Sequence, residues 1–224
     1  MLQTLTPDEC RALGTLIEKA LTTPAQYPLS LNGLIVGINQ KSNRDPVIEI
    51  DEARVLRAVD GLAAKSLARA VSMSSGARVE KFRHIANESL GLRAPELSIL
   101  CELLLRGPQT TGELRSRASR MHHYESMETV ENILQSMSTA VEGDGAASRG
   151  PLVREIPAVA GERTTRWMQL LHPTLHPLHI SEASSPATFT ARAVAEPSEI
   201  AALTTRVSEL ERVVEELKRA IESR

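Results

Sequence analysis

The stretch YPLSLNGLIVGINQKSNRDP (Tyr27–Pro46) changes abruptly from apolar to polar. Leu29–Ile38 is almost entirely apolar or small, whereas Asn39–Arg44 is almost entirely polar. This pattern predicts a short core helix, capped by Ser30, that opens into a loop rich in amides and cations. Such a loop either presents hydrogen-bond donors to a partner or is a solvated turn, and the stretch alone does not choose between them.

Around this stretch, the first part of the chain has the order helix, helix, helix, hairpin. The capping-box sequence Thr6-Pro7-Asp8-Glu9 begins the first helix, and Thr22-Thr23-Pro24 ends it. A helix over residues 31–39 follows, and a third helix begins near Asp51. The two predicted strands are Leu67–Met73 and Val79–Ile85, joined by a turn at residues 74–76. Pro46–Ile50 is also compatible with a short strand.

The same order repeats in the next part of the chain. Pro95-Glu96 opens a helix that Gly107-Pro108 ends, and a second capping box lies at Thr110–Glu113. We predict a third helix over residues 127–137 and two strands over residues 152–159 and 165–171. The apolar positions of the two halves superpose, for example Leu16 on Leu104. This pattern predicts an internal duplication.

Three helices followed by a two-stranded hairpin are typical of the winged helix-turn-helix. The predicted fold class is therefore mainly α with small β-hairpin wings (α+β), as two tandem winged-helix domains followed by a linker and a C-terminal coiled-coil helix. The predicted domains are residues 1–90 and 91–171, a flexible linker at 172–197 and a coiled-coil helix at 198–224.

The C-terminal stretch has an apolar heptad repeat without interruption. β-branched residues at the a positions with leucine at the d positions favour a parallel two-stranded coiled coil, and hence a homodimer. The alternative is a lone amphipathic helix that docks on its own domain. The predicted oligomerisation residues are Ile200, Leu203, Val207, Leu210, Val214, Leu217 and Ile221.

Composition narrows the possible functions. Aromatic residues make up only 2% of the chain, which argues against nucleic-acid folds that stack bases on exposed aromatic rings. The net charge is −2, with +1 in residues 1–90 and −1 in residues 91–171, so neither predicted domain is basic as a whole. Cys10 and Cys101 lie in separate apolar helices, which predicts reduced core thiols.

The sequence predicts a cytoplasmic protein with no signal peptide, no membrane segment and no cofactor. We find no catalytic constellation and expect a non-enzyme, because no phosphate loop or nucleophile elbow is present and no carboxylate is embedded in an apolar run. His172, His176 and His179 have the spacing of a metal site. They lie in a proline-broken segment without cysteine partners, so no metal is expected.

Local basic patches make double-stranded DNA the leading predicted partner. A winged helix contacts DNA through its third helix, the preceding connection and the wing, where arginine and asparagine bind base edges and lysine binds phosphate. The acidic start of the third helix, Asp51-Glu52, opposes this role. The candidate DNA-binding residues are Lys41, Asn43, Arg44, Arg54, Arg57, Arg78, Arg115, Arg117, Arg120, Arg163 and Arg166.

Two long motifs, residues 22–47 (TTPAQYPLSLNGLIVGINQKSNRDPV) and residues 103–121 (LLLRGPQTTGELRSRASRM), resemble the YceH-like family of bacterial proteins. The resemblance covers roughly residues 5–171. It implies tandem winged-helix domains and a bacterial cytosolic setting, and it implies no reaction and no site residues.

The sequence therefore supports two functions. The leading hypothesis is a dimeric double winged-helix protein that binds DNA in a regulatory or architectural role. The alternative is a protein-interaction adaptor that uses its winged-helix faces and coiled coil, and the near-zero domain charge favours it. DNA is favoured if the predicted cations converge on one face, and the adaptor is favoured if they scatter or are paired within the fold.

Overall fold

Helices and short antiparallel strands alternate in the structure, a computed structural model that describes residues 4–71, 80–141, 149–158 and 164–176, together with Arg212. The class is α+β. The chain divides into one compact unit that ends at Ala183 and a second unit, Ser184–Arg224. Of the second unit only Arg212 is described, and it is helical and exposed. The predicted oligomerisation residues lie outside the described part of the chain.

The first half runs from α1 to β3. Its elements are α1 (Pro7–Thr22), a 3₁₀ helix (Pro24–Gln26), β1 (Leu29–Ser30), α2 (Leu31–Ile38), α3 (Glu52–Ala64), β2 (Ala68–Val71) and β3 (Lys81–His84). The capping box at α1 is confirmed, because Thr6 Oγ1 accepts a hydrogen bond from the Glu9 amide at 3.2 Å. Ser30 caps α2 through the Gly33 amide, also at 3.2 Å.

After a connecting helix, α4 (Ala86–Leu90), the second half repeats the helical order. Its elements are α5 (Ala94–Arg106), α6 (Thr111–Ala118), α7 (Met127–Met137), β4 (Val153–Ile156) and β5 (Arg166–Gln169). The capping box at Thr110 is confirmed. The structure therefore shows three helices followed by two paired strands in each half.

The sheets of the two halves also share their strand order. In the first half, β3 lies between β1 and β2, with Leu29 opposite Phe82 and Arg69 opposite Arg83. In the second half, β5 pairs with β4, and its Trp167 forms an antiparallel bridge with Gln109. Gln109 directly precedes the N-cap of α6, much as β1 directly precedes α2, so a single-residue bridge in the second half takes the position that β1 has in the first.

One expectation about secondary structure is wrong, and two short elements were not expected. Pro46–Ile50 is not a strand, because its backbone is held by side chains rather than by a neighbouring strand. The two-residue strand β1 and the helix α4 were not predicted. Both are too short to show a periodic apolar pattern.

The core is continuous between the halves, because α1 and α5 pack directly against each other. Gly14 permits this approach, since a Cβ at this position would lie 2.8 Å from the side chain of Leu105. Cys101 donates its thiol proton to the Gly14 carbonyl at 3.2 Å. Both cysteines are free and buried, as predicted, and burial raises the pKa of each thiol well above its ordinary value. None of the helices in the described ranges is long and apolar enough to cross a membrane.

Candidate interaction surfaces

The polar loop that follows α2 folds back onto the body of the protein. The Asn39 side chain exchanges two hydrogen bonds with the backbone of Ile50, at 2.9 and 3.0 Å. Arg11 donates to the Pro46 carbonyl at 2.5 Å, and the Asp45 amide donates to the Leu105 carbonyl at 2.9 Å. The Asn39 bonds therefore close the loop on itself just before α3, and the other two bonds anchor it on α1 and α5.

Asn43 and Arg44, two of the predicted DNA contacts, have partners within the fold. Asn43 has a positive φ of 57°, a conformation that asparagine tolerates better than most residues, and its Oδ1 accepts a hydrogen bond from Arg106. The Arg44 side chain is 0% exposed. Its guanidinium donates to Glu18 and to the Gly37 carbonyl, each at 2.7 Å, so in this conformation it cannot reach a phosphate.

Glu18 is the centre of a buried charge network between the halves. It lies on α1 with a side chain 1% exposed, and it binds Arg44 on one side and Arg120 on the other, each at 2.7 Å. Burial by itself raises the pKa of Glu18, but the hydrogen bonds and charges of Arg44 and Arg120 outweigh burial and leave it below its ordinary value. Glu18 is therefore a buried, ionised carboxylate.

The network continues onto α5 through Glu102, whose side chain is 0% exposed. Arg120 donates two hydrogen bonds to Glu102 Oε1, at 3.2 and 2.7 Å, and Arg106 lies 3.2 Å from Oε2 without hydrogen-bond alignment. Bonds to Glu102 and Glu18 overcome desolvation and raise the pKa of Arg120. The expectation that no carboxylate is embedded in an apolar run is wrong, because Glu102 lies between Cys101 and Leu103 in α5.

Two arginines of α6, Arg115 and Arg117, and Arg166 of β5 are also engaged. Arg115 donates to the Glu125 carbonyl at 3.1 Å. Arg117 donates to Gln109 at 2.8 Å and lies 3.3 Å from Glu113, which Arg166 also approaches at 3.5 Å. The α6 cluster therefore takes part in intramolecular contacts rather than forming one free basic face.

On α3, one predicted cation is paired and one is not. Arg54 binds Asp8 through two hydrogen bonds of 2.9 and 2.7 Å on an exposed surface. Arg57 is exposed, as is Lys41 in the loop, and neither has a partner within the described ranges. Arg78 and Arg163 lie outside the described residues. DNA binding by any of the eleven candidate residues stays a prediction.

The eleven candidate residues leave out a cationic strip on the first sheet. Arg69 lies directly opposite Arg83, and Lys81 lies opposite Val71 on the same face. Arg83 has Glu88 as a partner at 3.3 Å, whereas Arg69 is exposed with no partner in the described part of the chain. Strand alternation could have identified this strip, because Lys81 and Arg83 are two residues apart.

The outer face of α7 has the opposite character. The helix sequence METVENILQSM contains no lysine or arginine. Its exposed residues include Glu128, Glu131, Asn132 and Gln135. Glu131, Glu155 and Trp167 line a recess of about 330 Å³ beside the hairpin. The α7 side of this surface is acidic and polar, whereas the exposed Arg154 of β4 lines an adjoining recess together with Gln135.

No group of three or more histidine, cysteine or acidic residues is arranged to hold a metal ion within the described ranges. Of the three histidines in the predicted metal spacing, His179 lies outside those ranges. The Nδ1 atom of His172 lies 2.5 Å from the Leu5 carbonyl oxygen.

Comparison with known proteins gives consistent matches along most of the chain. The family described as "Protein of unknown function, DUF480" matches residues 5–149. A UPF0502 protein of Pelobacter propionicus is 50% identical over 163 residues, covering 73% of this chain and 70% of the relative. A UPF0502 protein of Geotalea uraniireducens is 43% identical over 223 residues, covering 96% of both chains. One from Burkholderia pseudomallei is 41% identical over 220 residues, covering 96% of this chain and 88% of the relative.

Proposed function

The chain belongs to the DUF480 family, whose members include the UPF0502 proteins, and from its geometry we propose that it is a non-enzymatic, tandem winged-helix adaptor that binds a basic protein partner. The winged-helix assignment is supported by the repeated helical order and by the position of β3 between β1 and β2. The bridge from Gln109 to Trp167 supplies the matching third strand position in the second half.

One observation carries the proposal: the outer face of α7 exposes glutamates and the helix has no cation. In a winged helix that binds DNA through its third helix, this face approaches phosphates, which acidic side chains repel. The same face is complementary to lysine and arginine side chains of another protein. The corresponding helix α3 also begins with acidic residues, Asp51 and Glu52.

The pairing of the predicted cations supports the same conclusion. Arg44 is enclosed, Arg120 is shared between two buried glutamates, and Arg54 is held by Asp8. A cation that is already bound by a carboxylate must give up that partner before it can bind phosphate. These side chains therefore contribute less to DNA affinity than their number in the sequence indicates.

The proposal is tested by photo-crosslinking in cells from a benzophenone amino acid placed at Gln135, which is exposed on α7. We expect a discrete protein adduct that is lost in Glu128→Lys/Glu131→Lys, because charge reversal repels a basic partner. Glu49→Lys, which changes an exposed glutamate of the first half, is the matched control and should keep the adduct. The proposal is rejected if Gln135 yields no protein adduct or if the α7 reversal leaves it unchanged.

DNA binding is the second candidate, and the cationic strip of Arg69, Lys81 and Arg83 favours it. Phosphate contacts make affinity fall steeply between about 50 and 200 mM salt, which anisotropy of a labelled duplex measures. If this candidate is correct, Arg69→Ala and Lys81→Ala each lower the salt slope by about 1, while the paired Arg54→Ala does not. The adaptor proposal instead predicts that the protein shows no salt-sensitive binding to the labelled duplex.

The heptad residues Ile200–Ile221 support the further proposal that the protein is a homodimer. Sedimentation of the full chain at micromolar concentration should give the mass of two chains. Leu210→Asp/Leu217→Asp should give one chain, because charges at d positions are not tolerated in the coiled-coil seam. Glu211→Asp, which keeps the charge outside the a and d positions, is the control. A wild-type monomer would exclude the dimer.

A further inference from the structure

A cleft lies between the end of the first half and the beginning of α5. It has a volume of about 500 Å³, within the range of small-molecule sites. Its apolar surface comes from Leu21, Leu92, Leu97 and the ring of Tyr27. The cleft therefore offers an open apolar surface against which a group of modest size can pack.

Two polar groups in this cleft lack partners that their chemistry requires. His84 is 8% exposed, and its Nδ1 has no hydrogen-bond partner within the described residues. The Tyr27 hydroxyl accepts a hydrogen bond from the His84 amide at 2.6 Å, yet no acceptor for its own proton is found in the described ranges. Burial raises the pKa of Tyr27 to about 12, so the phenol keeps that proton and can donate it.

Two arginines line the same cleft. The Arg93 side chain is 88% exposed and lies 3.7 Å from Glu96, and that of Arg83 is 32% exposed and lies 3.3 Å from Glu88. A guanidinium has five N–H donors, so one carboxylate contact leaves several available to an anion. Arginine is well suited to planar anions such as carboxylates.

We propose that this cleft binds a small amphipathic anion, with its apolar body against Leu21, Leu92 and Leu97 and its anionic group held by Arg93 and Arg83. The Tyr27 hydroxyl donates to the same ligand. The site is independent of the α7 face, so the inference does not rest on the adaptor proposal.

The test uses 2-naphthoate as the anionic probe, with the full-length protein and backbone amide NMR shifts as the readout. Saturable shifts are expected at Leu92, Ala94 and His84. 2-Naphthamide, which has the same rings without the charge, should bind at least about tenfold more weakly, as expected for loss of a charge-assisted hydrogen bond. Inorganic phosphate alone should cause no saturable shifts at these amides, because it lacks the apolar body.

Variants then assign the binding to particular groups. Arg93→Gln should weaken naphthoate binding by about tenfold and Tyr27→Phe by several-fold, whereas Arg57→Gln, an exposed arginine outside the cleft, should have no effect. The Arg93 change alters a largely exposed side chain, so it tests the site without removing core contacts. The inference is overturned if naphthoate causes no saturable shifts, if naphthamide binds equally well, or if Arg93→Gln binds as the wild type does.

Discussion

Glu18 and Glu102 show why a buried carboxylate needs several partners. Taking each charge out of water is costly, and one attraction alone often fails to offset that cost. Here Glu18 is bound by two arginines, and Glu102 is bound by Arg120 and approached by Arg106. Because Arg120 contacts both glutamates, the network joins α1 to α5.

Replacing Arg44 should reveal the cost of leaving this charge partly unpaired. We expect Arg44→Met to lower the free energy of unfolding by about 3 kcal/mol, because Glu18 stays buried and keeps only Arg120 at 2.7 Å and the more distant Lys19 at 3.8 Å as ionic partners. Arg54→Met breaks a pair of the same 2.7 Å length on an exposed surface and should have a much smaller effect on the free energy of unfolding, because water screens exposed ion pairs. Urea unfolding measures both values. Equal losses would show that burial of the Glu18 pair has no energetic consequence.

His84 should make stability depend on pH. Burial and the neighbouring charge of Arg83 lower its pKa to about 4, so the folded protein resists protonating it while the unfolded chain does not. The stabilising contribution is complete above pH 6.5, declines as the pH falls, and is lost by about pH 4. It amounts to roughly 3 kcal/mol.

The His84 contribution is isolated by comparison with His84→Gln. Unfolding in urea at pH 7 and at pH 4.5 should show a smaller decrease for the variant than for the wild type, while His123→Gln, at an exposed position, should follow the wild type. Parallel decreases in the wild type and His84→Gln would show that this imidazole titrates normally.

Among the elements, those with local signals were predicted well. Both capping boxes mark helix starts because their hydrogen bonds join residues three apart, at Thr6 and Thr110. The pairing of Arg44 with Glu18 joins residues that are 26 apart, so no local pattern reveals it. The burial of Glu102, unlike the pairing of Arg44 with Glu18, has a local signal, because Glu102 lies inside the apolar face of α5.

The contact between α1 and α5 should be sensitive to a single methyl group. Gly14→Ala places a Cβ 2.8 Å from the Leu105 side chain, and Leu105 is fully buried, so overpacking should cost about 1–3 kcal/mol. Gly112→Ala in α6 meets nothing closer than 3.8 Å and should be neutral or stabilising by up to about 1 kcal/mol. Thermal unfolding distinguishes the two. If Gly14→Ala is as stable as Gly112→Ala, then α1 and α5 move apart to accommodate the added methyl group without loss of stability.

At the scale of the whole molecule, the family resemblance is confirmed. The structure indicates why the stretch from Tyr27 to Pro46 is so recognisable, because each half of it has a structural role. Its apolar half is the core helix α2. Its polar half fastens the first half to α5 through Asn43 and Asp45, while Arg44 binds Glu18 on α1. Sequence patterns identified this segment as important but assigned its polar side chains to an external partner, because composition does not reveal which way a loop folds.

These contacts lead us to expect that the two halves unfold together, although the domain boundary at residue 90 stays a prediction. Trp167, the only tryptophan, lies in β5 and reports on the second half, whereas far-ultraviolet circular dichroism reports on all helices. Arg44→Met changes only the first half, yet it should shift both unfolding curves by the same amount, since Arg44 and Arg120 share Glu18. Arg54→Met should shift neither curve appreciably. If the tryptophan curve of Arg44→Met stays at its wild-type position while the dichroism curve moves, the halves are independent domains and the buried charges do not couple them.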